Sequence, residues 1–363
     1  CLSDWSSDVC SSDLHLARVT QESDAYVGQL SDTIEELSER IPIPFEQLAN
    51  IGVLGSQVGI ADQYLSDFIE TVALFAATND IAEEEASLLF ARILEMTDLD
   101  ASQIRQLASS VSELGSSASA TEQEILVTTE SIATVASQAG LSSTAIVGLG
   151  SAMASLRIRP ELARGAMQRI FLELSNAATE AGDGIGKLAE ITGMTQDELA
   201  RLAETNPEEY FFRVLEGLGG LEDQGENLIP ILREIGILNT RDADVVARLA
   251  GNYQFLESQL DLANRSFAEG TFLQRESERM FDTLTARVQI LGNTWQNFIA
   301  DAFTAVAPFV TSLVEGATAA LEFADSLGFV APIVGWSALV LGLVGTVALF
   351  GAGLAATIRS LVA

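Results

Sequence analysis

Thr121 to Gly140 reads TEQEILVTTESIATVASQAG, and this one run carries both the start and the stop signals of an α-helix. Thr121 and Glu124 stand three residues apart, the capping-box spacing in which each side chain satisfies a backbone N–H of the other residue. Gly140 supplies a turn that only glycine makes without strain, which ends a helix. The same devices recur on both sides. Asn79-Asp80 precede IAEEEASLLFARILEM, where Ile81, Leu88, Leu89 and Ile93 fall near helical spacing and three acids occupy the first turn, favoured there by the helix dipole. Thr195-x-x-Glu198 repeats the box ahead of LARLAE. Asn206-Pro207-Glu208-Glu209 joins a cap, a proline at the first helical position and two acids before YFFRVLEGLGG. Thr240 reads as the cap of DADVVARLAG, ending at Gly251. From Leu256 to Val314 the helical pattern is nearly continuous, with Gly270, Gly292 and Pro308 as points where it bends or breaks. No stretch alternates like a strand between turn signals. The expected fold class is all-α: a multi-helix bundle of capped amphipathic helices, then a long helix, then a C-terminal hydrophobic, membrane-competent helical segment.

Ser3 to Leu14, SDWSSDVCSSDL, reads as the translation of a sequencing adapter, so residues 1–14 are set apart from the natural protein. Both cysteines, Cys1 and Cys10, fall there or beside it, and the sole histidine, His15, sits at the junction. Residues 15–40 are expected to form an N-terminal helix, 41–327 a helical core, and 328–363 the start of a hydrophobic segment. The chain is expected to be cut short at both ends. Ser109 to Thr121 (SSVSELGSSASAT) is small and polar and is expected to be a loop; Leu218 to Pro230 (LGGLEDQGENLIP) is a second expected break. No short repeat or sustained heptad marks a solenoid or a simple long coiled coil.

The charge is −32, or −29 once Asp4, Asp8 and Asp13 are removed. Electrostatic binding to nucleic acid needs clustered Lys and Arg, so this class is excluded, sequence-specific readers included. Among the 19 basic residues only Lys187 is a lysine, a balance that fits either a halophilic source or a GC-rich genome. With no histidine or cysteine in the body, triads and zinc sites are excluded, and no catalytic, cofactor or metal residue is expected. Glu83-Glu84-Glu85 and Glu35-Glu36 read as solvated helix faces. GDGIG (Gly182 to Gly186) lacks the lysine and strand of a phosphate loop. MTQDELARLAETNPEEYF reads as a packed helix pair rather than a DNA reader. Arg157, Arg159 and Arg164 form the densest basic cluster and are expected to pair locally with Glu161 and Glu173. Tyr210, Phe211, Phe212, Phe267, Phe272 and Phe281 are expected core anchors.

Between Asp325 and Arg359 there is no charge at all. That stretch exceeds the roughly 20 apolar residues needed to cross a bilayer. Its membrane-facing candidates are Phe329, Val330, Ile333, Val334, Trp336, Ala338, Leu339, Val340, Leu341, Gly342, Leu343, Val344, Gly345, Val347, Leu349, Phe350, Gly351, Ala355 and Ile358. A single span and a hairpin folding at Gly342 to Gly351 both fit, as does a buried hairpin in a soluble bundle. Small residues at Ala338-x-x-x-Gly342 and Gly351-x-x-x-Ala355 permit close helix contact.

Three runs together resemble the core region of phage tail tape measure proteins: PIPFEQLANIGVLGSQVGIADQYLSDFIETVALFAATNDIAEEEASLLFARI, EQEILVTTESIATVASQAGLSSTAIVGLGSAMASLRIRPELARGAMQRIF and ESERMFDTLTARVQILGNTWQNFIADAFTAVAPFVTSLV. In order and spacing the resemblance covers about Ile41 to Leu327, and it rests on extent rather than on any catalytic signature. One departure is Arg157-Ile158-Arg159, where similar proteins often have a glycine before the acid. The resemblance implies a structural protein of the tail lumen in a virion or prophage of a bacterial or archaeal host. Its extended length sets tail length during assembly, and it leaves ahead of the DNA and assists ejection through the host envelope. The partners implied are other copies of itself, tail tube and tail assembly proteins, and the host membrane on ejection. Some such proteins carry peptidoglycan-cleaving domains further along the chain. The competing readings are a membrane-active helical toxin or pore-forming protein and a membrane-anchored cellular scaffold.

Overall fold

The computed structural model describes residues 24–179, 183–237, 239–283 and 287–297, and every regular element among them is helical. The helices are α1 (Asp24–Ser38), α2 (Phe45–Gln57), α3 (Asp62–Asn79), α4 (Glu83–Met96), α5 (Ile104–Ser117), α6 (Glu122–Gln138), α7 (Ser143–Ser155) and α8 (Pro160–Thr179). They continue as α9 (Asp183–Thr192), α10 (Gln196–Thr205), α11 (Pro207–Asp223), α12 (Leu228–Glu234), α13 (Thr240–Ala250), α14 (Tyr253–Glu269) and α15 (Phe272–Phe281). A further helical stretch covers 287–297. The chain divides into two units: Cys1–Asn50 with Phe281–Ala363, and Ile51–Met280.

The caps read from sequence are formed. Glu124 N–H donates to Thr121 Oγ1 at 3.2 Å and Thr121 N–H to Glu124 Oε2 at 3.0 Å, closing the box at the start of α6. Gly140 follows with φ +87°. Thr195 and Glu198 repeat the arrangement at α10, and Asn206 accepts from Glu209 N–H at 3.2 Å with Pro207 beginning α11. Two readings are corrected. Asn239, not Thr240, caps α13, accepting from Arg241 N–H at 3.0 Å, and Thr240 is already helical. Asn79 and Asp80 end α3, where Asp80 takes φ +53° and its N–H bonds Ala76 O, while α4 starts after Ala82 without a side-chain cap. An unpredicted box forms at Asp100 and Gln103, ahead of α5.

The expected loop at 109–121 is largely helix, because α5 runs to Ser117 and buries Ser109, Ser110, Ser112, Val111 and Leu114. The second break shrinks to the turn between Asp223 and Leu228, with Gly225 at φ +86°. Gly270, at φ +62°, does end α14, whereas Gly292 lies within the helical stretch 287–297. Pro308 lies outside the described residues.

Within the unit Ile51–Met280, α7 is the innermost helix. Every residue from Ala145 to Ala154 is buried, which removes the polar face that an amphipathic helix keeps for water. It is wrapped by α5, α6 and α14. A Cβ on Gly150 would collide with Thr129 of α6, and one on Gly148 would meet Leu260 Cα of α14 at 3.0 Å. Glycine at these two points is what lets the α6 and α14 backbones approach this short helix so closely. The core continues through Leu174 and Ile170 of α8, Phe211 and Leu215 of α11, and Val246 of α13. Phe171 and Phe211 meet at 4.9 Å between ring centroids, and Phe75 and Phe90 meet edge-on at 4.7 Å. Tyr210 and Phe211 are buried anchors as expected; Phe212, Phe267, Phe272 and Phe281 are only half-buried, and Leu273 anchors α15 instead.

Candidate interaction surfaces

The acid runs sit where solvent reaches them. Glu84 and Glu36 are exposed, and Glu85 accepts from Gln123 at 2.8 Å rather than facing a second carboxylate. Among the described residues no group of three or more His, Cys, Asp or Glu is placed to hold a metal ion. Burial pushes the Glu122 carboxyl upward against the α5 backbone at Gly115. Hydrogen bonds from Ser102 and from Thr195 hold Asp100 and Glu198 below the usual carboxylate range. Burial likewise pushes Tyr210 up to about 12, where its hydroxyl donates to Leu174 O at 3.0 Å and ties α11 to α8.

The basic cluster is arranged differently from the expected local pairing. Arg157 bonds Glu124 Oε1 at 3.2 Å and Ser119 O at 3.1 Å, so the glutamate that caps α6 also receives this guanidinium. Arg157 itself stands at φ +58°, a left-handed conformation that costs an L-residue roughly 1–2 kcal/mol. Arg157 therefore carries a backbone conformation that glycine adopts without strain, at the first residue of the departure Arg157-Ile158-Arg159. Arg169 pairs across to the buried Asp242 of α13 at 2.6 Å. Arg159 and Arg164 are exposed before and early in α8, and Leu172, about two turns beyond Arg164, is 56% exposed.

A seam of hydroxyl and amide groups fixes α14. Ser151 of α7 donates to Gln259 Oε1 at 2.8 Å, Ser110 of α5 to Ala263 O at 3.2 Å, and Ser266 to Ser109 O at 3.1 Å. The α14 face they define, Leu256, Gln259, Ala263 and Ser266, contains one large apolar side chain. Direction-dependent hydrogen bonds therefore set its register, where a purely apolar face would tolerate sliding. Sequence reading missed this seam because each bond joins residues more than a hundred positions apart.

In the other unit, two amide side chains tie the stretch 287–297 to the segment after α1. Asn293 Nδ2 donates to Ser38 O, Ile41 O and Ile43 O at 3.1, 3.4 and 3.1 Å, and Asn297 Nδ2 to Ser38 Oγ at 2.7 Å. On the roughly opposite side of the helix stand Val288, Leu291 and Trp295, at 38%, 68% and 39% exposure. Their spacing of three and four places them in one stripe.

Among the described residues no helix is long and apolar enough to cross a membrane. All the membrane-facing candidates, from Phe329 to Ile358, lie outside the described residues.

A family model described as phage-related minor tail protein matches residues 31–229, more than half of the chain. A protein described as a "Probable tape measure protein" of Halomonas phage phiHAP-1 is 23% identical over 282 residues, covering 74% of this chain and 32% of that protein. The chain thus spans about a third of the length of that relative. No solved structure matches.

Proposed function

The chain belongs to the phage-related minor tail protein family, and from that premise we propose that it is part of the tape of a phage tail, setting tail length during assembly and assisting DNA ejection through the host envelope. The observation that carries the reading is the reach of the family match, which runs from α1 to α12 and takes in most of the helical body. The role is mechanical rather than enzymatic. A helix rises about 1.5 Å per residue, so a helical chain held along the tail lumen converts residue count into length. Its acidity prevents it from retaining DNA of the same sign as the DNA passes.

The partners in this reading are other copies of the chain, the tail tube and tail assembly proteins, with the host membrane met only on ejection. The uncharged run from Phe329 to Ile358 serves that last step, since a helix satisfies its own backbone in lipid. A membrane-active toxin shares the apolar run but gives no reason for the match over 31–229. In-frame deletions in the later helical region of the parent gene test the proposal. Removing 100 helical residues shortens tails by about 150 Å in electron micrographs. Tails of unchanged length sink the reading.

A further inference from the structure

We propose that α14 is a releasable strap: together with α15 it lifts away from α5 and α7 in one step, while the rest of the unit stays folded. Its inner face steps three and four residues at a time through Leu256, Gln259, Ala263 and Ser266, and the buried residues of α15 are Leu273 and Ser277. The pair thus buries two large apolar side chains, Leu256 and Leu273. By contrast, α3 alone buries Leu65, Phe68, Ile69, Val72 and Phe75. Apolar area removed from water is what holds a helix to a core, so the strap is held less firmly than the helices that stay. Leu260, Leu262 and Phe267 are half-buried beside the inner face and keep it closed at rest.

The surface beneath the strap suits water. On α7 it runs through Gly148 and Ser151 to Ser155, one turn further along the same face, and on α5 through Gln106, Ser109 and Ser110. Three polar atoms there, Gln106 Oε1, Ser109 Oγ and Ser155 Oγ, are buried with no hydrogen-bond partner among the described residues. Gln106 lies under Gly270, whose Cβ would stand 3.2 Å from its Cγ, and Ser109 offers its carbonyl to Ser266. A buried polar atom without a partner costs the free energy of drying it, and lifting α14 removes that cost as water arrives. The seam bonds of Ser151, Ser110 and Ser266 are replaced by bonds to water, so their loss opposes opening only weakly. Glycine bounds the moving helix at both ends: Gly251 closes α13, and Gly270 follows α14 at φ +62°. Under the tail reading, on which this use alone rests, an open strap carries the chain beyond it up to about 25 Å from the bundle, the length of its 17 helical residues, without breaking the core.

Hydrogen–deuterium exchange of the whole chain in non-ionic detergent tests the strap. The amides of α14 exchange together and about 100-fold faster, relative to their unprotected rates, than those of α6 and α8. Two mild substitutions then move α14 in opposite directions. Ser266→Ala removes its bond to the Ser109 carbonyl and speeds α14 exchange about tenfold. Ser109→Ala removes an unpartnered hydroxyl, keeps that carbonyl, and slows α14 exchange about tenfold. In both variants α6 and α8 exchange as in the parent. An α14 protected as strongly as α6 and α8, or substitutions that move every helix of the unit by one factor, overturns the strap. Tails that shorten with deletions while α14 opens no sooner than α6 refute the strap and leave the tail reading standing. A strap that opens in a chain whose deletions leave tails unchanged stands as a strap and loses its use there.

Discussion

Two adjacent glycines near the end of α11 should respond to the same substitution with opposite signs. Alanine in place of glycine in a helix stabilises it by about 1 kcal/mol, because the unfolded chain loses freedom and the helix loses none. Gly220 faces open space, so Gly220→Ala gains that amount undiminished. At Gly219 the new Cβ would stand 2.5 Å from the carbonyl oxygen of Ala250, at the end of α13. A backbone oxygen cannot rotate away, so the two helices must separate, and overpacking of this kind costs roughly 3 kcal/mol. The net for Gly219→Ala is then a loss of about 2 kcal/mol once the propensity gain is subtracted. Hydrogen–deuterium exchange of α11 and α13 peptides in the whole chain reads both effects locally. Exchange should quicken about 30-fold in Gly219→Ala and slow about fivefold in Gly220→Ala, at 1.4 kcal/mol per tenfold. If both variants slow exchange, α11 and α13 do not cross as closely as described, and the argument fails.

Gln259→Leu strands the Ser151 hydroxyl in the seam and should destabilise the unit by about 1–3 kcal/mol; adding Ser151→Ala should recover part of that loss in a double-mutant cycle by urea denaturation. The Glu122 carboxyl is raised by burial above its ordinary 4.5, so the folded state holds the proton more tightly than the unfolded one. Its contribution is fully present below pH 4.5 and lost as pH rises through the folded value. Thermal melts should therefore show Glu122→Gln more stable than the parent at pH 7, with the gap closing below pH 4.5; a constant gap refutes the titration. Thr195→Ala opens the box at α10 and should cost about 1 kcal/mol, read as faster exchange confined to that helix. A peptide spanning Phe329 to Leu361 should become helical and protease-protected in liposomes, and one that stays in the aqueous fraction ends the membrane proposal.

Helix identity was legible wherever the signal was local. Thr121 with Glu124 and Asn206 with Pro207 sit within a few residues of the backbone groups they satisfy, so spacing alone finds them. The stretch Ser109 to Ser117 shows the limit. Its serines carry low helix preference, and the packing and bonds that stabilise the helix come from elsewhere in the unit, Ala263 and Ser266 among them. Gly219 and Gly220 misled for a related reason: glycine signals a helix end, yet both lie inside α11, and Gly219 is a notch that admits the carbonyl of Ala250. Asn239 and Thr240 are both competent caps, and adjacent candidates are not separated by sequence. The apolar stripe on 287–297 was hidden inside a longer apolar pattern. Only the anchoring by Asn293 shows which side of the helix faces outward.

The burial of α7 has a consequence for biosynthesis. The helix is complete at Ser155, but α14, which covers its remaining side, is complete only at Glu269, 114 residues later. At 5–20 residues per second a ribosome takes about 6–23 s to cross that interval. For that time Ala145 to Ala154 has no final cover, in a nascent chain that already carries the apolar faces of α3 to α6. The order of the elements along the chain therefore sets a floor on how soon this unit can complete its core, whatever the speed of the packing step itself.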